Sequence, residues 1–191
     1  MKNIIQESVQ ASIQVKKSIL LDDEFLQRIE EAVNSILLAF QQGKRIYFCG
    51  NGGSAADAQH LAAEFSGRFY KNRRALPAEA LHCNTSYLTA VANDFGYDEI
   101  YARIVEGILE PGDVLIGLST SGNSPNIVKA FESARLRSIT TIGFTGRKGG
   151  QLAALSDLLF NVPSDDTPRI QESHIMVGHI ICQLVEAKFF A

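Results

Sequence analysis

Residues 46–57 read IYFCGNGGSAAD, which joins a short apolar segment to a glycine-rich turn and then to a helix-forming sequence. The pattern predicts a strand, a tight turn and a helix N-terminus. Glycines let backbone N–H groups approach an anion closely, and the first turn of a helix adds unpaired donors and the positive end of its dipole. We therefore expect an anion here, most simply a phosphate, although the same residues also fit an ordinary strand-to-helix turn without a ligand.

A second loop of similar character follows the apolar segment at residues 113–117 and reads LSTSGNSP over residues 118–125. Hydroxyl groups take the place of the glycines. Ser124 before Pro125 predicts a helix start, because serine caps helices and proline at the first helical position loses no hydrogen bond. Serine and threonine caps also occur in loops without a ligand. Two such loops after two strands of one sheet nevertheless favour a shared phosphate pocket.

Apolar segments alternate with segments of helical periodicity around these loops. Several of the apolar segments do not alternate with polar residues, which is typical of a parallel sheet covered by helices on both faces. We predict an α/β fold with a three-layer, doubly wound, mostly parallel five-stranded sheet, whose ligands bind beyond the carboxyl ends of the strands. The predicted strands lie near residues 45–49, 78–81, 113–118, 139–144 and 158–162.

The 191 residues are predicted to form one domain, with an N-terminal helical region at 1–42 and an α/β core at 43–191. The final helix, from about Pro168 to Phe189, is apolar on nearly all sides. This indicates burial in its own domain and against another subunit, so we expect a homo-oligomer. The N-terminal helices are the other candidate for the subunit contact, and a monomer with a helical cap is the alternative.

Composition excludes several classes of protein. A net charge of -3 argues against a nucleic-acid binder, and no apolar run approaches the roughly 20 residues of a membrane span. The first residues lead into a polar helical pattern unlike the apolar core of a signal peptide, so we expect a cytoplasmic protein. Cys49, Cys83 and Cys182 lack metal-ligand spacing and lie among apolar residues, which predicts buried thiols.

His60 and Glu64 are four residues apart in the helix that begins at the glycine turn, so their side chains share one face. A surface ion pair is the common alternative for such spacing. The pair lies two to three turns from the expected anion, roughly 10–15 Å along the helix axis. That distance suits a sugar phosphate whose far end carries a reactive carbonyl.

The last helix contributes Gln171, His174 and His179 to an otherwise apolar sequence. Gln171 and His179 are about 80° apart around the helix, so both could face one centre. The two imidazoles are either core histidines or ligands. Two histidines, a glutamate and a glutamine oxygen form a four-ligand set for zinc or a similar divalent ion, and a glutamate beside a histidine could equally act as base and acid without metal.

Residues 50–55 also satisfy the dinucleotide fingerprint G-x-G-x-x-G/A. That interpretation requires an acidic residue at the end of the next strand to hold the ribose. The next predicted strand instead leads into Leu81-His82-Cys83-Asn84. The sequence therefore gives little support to NAD binding.

Over nearly its whole length the chain resembles the sugar isomerase (SIS) domain family and, within it, the phosphoheptose isomerases. The resemblance is carried by residues 49–60, Glu64, Gly67-Arg68, residues 93–96, residues 119–124, Arg169-Ile170-Gln171-Glu172, His174 and His179. It implies a homotetramer of α/β subunits with N-terminal helices in the oligomer interface. It also implies a phosphorylated seven-carbon sugar as substrate, with sedoheptulose 7-phosphate converted to D-glycero-D-manno-heptose 7-phosphate through an enediol, the first step of ADP-heptose and lipopolysaccharide core heptose biosynthesis.

The family pattern also implies functional residues in this chain. One zinc ion per subunit would be held by His60, Glu64, Gln171 and His179, and Glu64 and His179 would be the base and the acid. The implied substrate contacts are Asn51, Gly52, Gly53, Glu64, Asn93, Asp94, Ser119, Thr120, Ser121, Ser124 and Gln171.

One position departs from the family pattern. Some members carry an aspartate beside the arginine at the start of the last helix, where this chain has Pro168 before Arg169. Asp165 or Asp166 could take the place of that aspartate.

The alternatives to the isomerase are a non-enzymatic SIS-domain adaptor that binds the replication initiator and an isomerase of another sugar phosphate. The adaptor pattern lacks both the helix glutamate and the C-terminal histidine, which this chain has.

Overall fold

The computed structural model describes residues 1–191. Two long helices precede the first strand, and strands then alternate with helices to the C-terminus. A turn of 3₁₀ helix, Tyr97–Glu99, lies between the fourth and fifth helices. The helices are α1 (Lys2–Leu20), α2 (Asp23–Gln41), α3 (Gly53–Ser66), α4 (Thr85–Phe95), α5 (Ile100–Ile108), α6 (Pro125–Leu136), α7 (Leu152–Leu155) and α8 (Thr167–Phe189). The strands are β1 (Ile46–Gly50), β2 (Ala78–Ala80), β3 (Val114–Leu118), β4 (Thr140–Thr145) and β5 (Leu158–Asn161).

The five strands form one parallel sheet in the order β2-β1-β3-β4-β5, which confirms the predicted α/β fold. From β1 the chain moves outward to β2, returns to β3 and then moves in the other direction to β4 and β5. This reversal makes β1 and β3 neighbours. The loops that follow them therefore start side by side, at the place where open α/β sheets bind their ligands.

The sheet lies between two layers of helices, so its central strands are buried on both faces. Phe48 and Ile116 belong to an apolar cluster with α2, α3 and α8. Tyr47 and Leu115 point to the opposite face and pack with α5 and α6. Burial on both faces explains why these strands are continuously apolar in the sequence.

Every predicted strand is present, and its bounds differ from the prediction by at most one residue at either end. The difference that matters is at Gly50, which the sequence placed in the turn. Gly50 pairs with Leu118 as the last residue of β1. A Cβ at this position would lie 2.4 Å from the carbonyl oxygen of Ser54, so only glycine lets α3 start so close to the strand.

The prediction of three buried thiols is wrong for Cys83, which is exposed. This residue follows the short edge strand β2, where the chain has already turned away from the sheet. Cys49 lies inside β1 and Cys182 in α8, and both are buried as predicted. Burial raises the pKa of both of these thiols.

The apolar stripe of α1 faces away from the core of its own chain. Ile4, Ile5, Val9 and Ile13 are each more than half exposed. Helix α8 buries one side in the core, and Ile175 and several other apolar residues on its other side are only partly buried. No helix is both long and apolar enough to cross a membrane.

A buried ion pair ties the segment after α3 to the last helix. Glu186 accepts hydrogen bonds from the backbone N–H groups of residues 69–71 and from Nε of Arg73 at 2.8 Å. Arg73 also donates to the backbone carbonyls of Glu64 and Phe65. Burial raises the pKa of Glu186, but these hydrogen bonds outweigh it and hold that pKa below its ordinary value.

Candidate active site

The glycine turn after β1 places the N-terminus of α3 at the carboxyl edge of the sheet. Gly52 is the N-cap of α3 and has a φ of +54°, in the left-handed region that favours glycine. Gly53 has the side-chain amide of Gln171 directly against it, because a Cβ on Gly53 would lie 2.7 Å from Nε2 of Gln171. The helix N-terminus and the start of α8 therefore meet at one point.

The hydroxyl loop after β3 lies beside it. Ser124 is the N-cap of α6, as predicted, but its hydroxyl faces the hydroxyl of Ser119 at 2.9 Å and makes no hydrogen bond to the helix backbone. The backbone N–H of Asn123 donates to Oγ of Ser121. Thr120 accepts a backbone hydrogen bond from Gly146, which fixes this loop against the next one.

That next loop, residues 146–150, was missed by the sequence reasoning. A Cβ on Gly122 would lie 2.0 Å from the carbonyl oxygen of Gly149, so the two backbones touch. The hydroxyl loop, this loop and the start of α8 line an open cavity of about 360 Å³, whose wall includes two basic residues, Arg147 and Lys148. Three glycines within five residues, at 146, 149 and 150, could have indicated this loop in the sequence, because close backbone contact needs glycine.

Three side chains from α3 and α8 converge on one point. Nε2 of His60 lies 3.2 Å from Oε1 of Glu64 and 3.4 Å from Nε2 of His179. Donor atoms from these three residues all lie within 4.8 Å of one another, which fits two nitrogens and a carboxylate oxygen around a divalent cation. Burial, followed by the facing His60, holds the pKa of His179 below its ordinary value, which favours the neutral, ligating form.

The crossing of α3 and α8 explains the convergence. Gly178 precedes His179, and a Cβ at this position would lie 2.5 Å from a methyl group of Leu61. Without that side chain the two helices approach closely enough for His60 and His179 to meet. Gln171 is two turns earlier on α8 and contacts Gly53, so its place in the metal set stays a prediction.

His174 is a core histidine, which decides between the two alternatives left open by the sequence. Its side chain is fully buried, its Nε2 lies 3.1 Å from the carbonyl oxygen of Thr145, and it packs edge-on against Phe144. Burial lowers the pKa of His174 to about 4, although the hydrogen bond with Thr145 acts in the opposite direction. The imidazole is therefore neutral in the folded protein near pH 7.

We expect this histidine to make the protein less stable in mild acid. The unfolded chain takes up the proton near pH 6.5 and the folded chain only near pH 4, so the free energy of unfolding falls by about 3 kcal/mol as the pH falls through that window. His174→Gln keeps a donor for Thr145 and removes the titration. Urea unfolding between pH 7 and pH 4 should show a shallower loss for the variant, and equal slopes would contradict the assignment.

The remaining predicted site residues, Asn93, Asp94, Asp165 and Asp166, are all exposed. Asn93 and Asp94 are exposed at the end of α4 and hydrogen-bond to each other. Asp165 pairs with Arg147, and Asp166 is the N-cap of α8 but its side chain makes no capping hydrogen bond.

No acidic residue occurs among residues 81–84 after β2, so the NAD interpretation gains nothing from the structure.

Two arginines among the residues that carry the family resemblance, Arg169 and Arg68, differ in their surroundings. Arg169 pairs with Glu172 at 2.7 Å and donates to the carbonyl of Ser8 in α1, so both of its terminal nitrogens are engaged within the chain. Arg68 is exposed. Neither guanidinium is joined to the glycine or hydroxyl loop by a hydrogen bond.

Comparisons with known proteins agree with this architecture. Residues 14–146 match the family model described as SIS domain. A phosphoheptose isomerase of Clostridium acetobutylicum is 50% identical over 190 residues, which cover 100% of this chain and 97% of that protein. One from Aneurinibacillus thermoaerophilus is also 50% identical over 190 residues, with 100% and 96% covered.

A solved structure is similar over the same range. The phosphoheptose isomerase of Neisseria gonorrhoeae superposes with a TM-score of 0.91 at 39% identity, covering 97% of this chain and 98% of that one. The family match, the end-to-end similarity to relatives and the parallel sheet with its paired loops all agree. The chain therefore belongs to the SIS domain family and, within it, to the phosphoheptose isomerase family.

Proposed function

We propose that this protein converts sedoheptulose 7-phosphate to D-glycero-D-manno-heptose 7-phosphate, the first step of ADP-heptose and lipopolysaccharide core heptose biosynthesis. The observation that carries the proposal is the cluster of His60, Glu64 and His179. His60 and Glu64 lie on α3, the helix whose N-terminus is the glycine turn, and His179 meets them from α8. One helix thus offers an anion site at its start and acid–base groups further along. The names of relatives at 50% identity support the same reaction.

The phosphate end of the sugar is assigned to the two loops. Backbone N–H groups at Gly52 and Gly53 and the side chain of Asn51 would contact it from the glycine turn, and four hydroxyl residues would contact it from the other loop. Asn93, Asp94 and Gln171 are proposed as contacts along the sugar. The hydroxyl residues are Ser119, Thr120, Ser121 and Ser124.

The chemistry requires one proton to move between carbons and one between oxygens. Glu64 removes the proton from C1 or C2 to give an enediol and returns it to the other carbon. His179 moves the proton between the two sugar oxygens, so atoms and charge balance over the cycle. The two side chains lie on opposite helices and both reach the His60 imidazole.

The donor set fits a divalent cation, and we propose one zinc ion per subunit. His60, Glu64 and His179 would hold it, with Gln171 as the fourth ligand. Bound there, the cation supplies positive charge that polarises the sugar carbonyl. Nitrogen and carboxylate donors suit zinc without excluding other transition metals.

The quaternary structure and location belong to the same proposal. The exposed stripe on α1 and the partly buried face of α8 support a homotetramer in which these helices meet neighbouring subunits. A cytoplasmic location stays a prediction. The non-enzymatic alternative has no support, because the relatives are named as isomerases and Glu64 and His179 converge.

The deciding experiment measures conversion of sedoheptulose 7-phosphate to an aldose phosphate by the purified protein. We expect conversion with zinc present, loss of conversion after chelation and recovery when zinc is restored. Circular dichroism before and after chelation is the control for folding. If the protein with zinc converts no heptose phosphate, the substrate assignment is wrong, and other sugar phosphates are then tested in the same assay.

A further inference from the structure

A buried asparagine joins the glycine turn and the hydroxyl loop through side-chain hydrogen bonds. Asn126 is only 1% exposed and is the second residue of α6, directly after the hydroxyl loop. Its side-chain amide forms a reciprocal pair with Asn51 of the glycine turn. Nδ2 of each residue donates to Oδ1 of the other, at 2.9 Å in both directions. The pair therefore links loops that are 75 residues apart in the chain.

A third group completes the environment of Asn51. The hydroxyl of Tyr97, from the 3₁₀ turn after α4, donates to Oδ1 of Asn51 at 3.1 Å. An amide oxygen accepts two hydrogen bonds and an amide nitrogen donates two. Asn126 and Tyr97 fill both acceptor positions of Asn51, and one hydrogen of its Nδ2 is left for a ligand. The network thus fixes which end of the amide faces the site.

We propose that Asn126 is a positioning residue for the sugar-phosphate site. It orients Asn51 as a hydrogen-bond donor toward the oxygens of the ligand and holds the glycine turn and the hydroxyl loop at one separation. This inference rests on the proposed function and adds a determinant of substrate affinity. Asn126 makes no hydrogen bond to Glu64, His60 or His179, so its effect falls on binding and not on proton transfer.

The test compares two substitutions of Asn126. Asn126→Asp replaces the donor with an oxygen that faces Oδ1 of Asn51, and Asn126→Leu keeps a similar volume without hydrogen bonds. We expect each to raise KM for the sugar phosphate about tenfold, as for one lost hydrogen bond to a charged group, with kcat changed less than about threefold. The inhibition constant of inorganic phosphate should rise in parallel.

Two further variants keep the test independent of folding. Tyr97→Phe removes only the hydroxyl of a half-exposed side chain, and we expect KM to rise about threefold. Glu132→Gln changes one charge on an exposed position of α6 and should leave KM and kcat as in the wild type. A merely structural role would lower the active fraction, which reduces kcat and leaves KM unchanged.

The outcomes separate this inference from the proposed reaction. If the wild type converts the substrate and the Asn126 variants keep its KM, the positioning role is wrong. If the wild type converts no sugar phosphate, the proposed function fails. The dissociation constant of inorganic phosphate, measured by calorimetry, then decides the role of Asn126. Equal constants for wild type and variants would overturn it, and a tenfold weaker constant in the variants would support it.

Discussion

Glu64→Gln is expected to lower kcat by about 10³-fold, because general base catalysis contributes roughly 10²–10⁴-fold and an amide cannot accept the carbon-bound proton. The substitution keeps the size of the side chain, and the backbone carbonyl of Glu64 remains held by Arg73. Substrate binding should therefore persist. Turnover of sedoheptulose 7-phosphate and calorimetric binding of the same sugar give the two readouts.

Metal content decides what a loss of activity at this position means, since Glu64 is also proposed as a ligand. Zinc is measured by mass spectrometry in the wild type and the variant, and the assay is repeated in excess zinc. Loss of turnover with zinc and substrate bound supports the base role. Near-normal turnover would refute it, and Glu132→Gln serves as the matched exposed control.

Glu186→Gln is expected to destabilise the fold by about 3–5 kcal/mol, the usual cost of breaking a buried ion pair and leaving one charge behind. Both side chains of the pair are only 3% exposed, and Glu186 also satisfies three backbone N–H groups. The neutral amide leaves Arg73 buried without its partner charge. Urea denaturation at pH 7 measures the difference.

The pH dependence gives this prediction a second test. The folded protein holds the pKa of Glu186 below its ordinary value, so the stabilisation is present above the unfolded pKa and is lost as the pH falls through the folded pKa. The difference between wild type and variant should therefore shrink in acid. Asp165→Asn, in the exposed pair with Arg147, is the control and should change stability by less than about 1 kcal/mol. A similar loss for both variants would refute the prediction.

The strands and the two loops could be predicted because their signals are local. Continuous apolar residues such as Val114 to Ile116 mark a strand buried on both faces, and glycines or a Ser-Pro pair mark the turn that follows. Helical spacing likewise placed His60 and Glu64 on one face. Each of these inferences needs only neighbours within a few residues.

The rest depends on contacts between distant segments. The meeting of His60 with His179 depends on how α3 and α8 cross at Gly178, which no spacing within α8 reveals. The same holds for Asn126, whose partner is 75 residues away, and for Arg147, which lines the cavity beside the hydroxyl loop because its own loop packs on that loop. Cys83 was misjudged because it lies beyond the edge strand β2, where exposure depends on how the chain leaves the sheet and not on its neighbours in sequence.

The adjacency of β1 and β3 has a thermodynamic consequence. The anion proposed to bind both loops would act as a removable cross-link between the two halves of the sheet, which are wound in opposite directions from this point. Ligand that binds only the folded state adds about 2.7 kcal/mol at a concentration one hundred times its dissociation constant. The protein surrounded by its ligand is therefore more resistant to unfolding, and to any protease that cuts unfolded chains, than the same protein after purification.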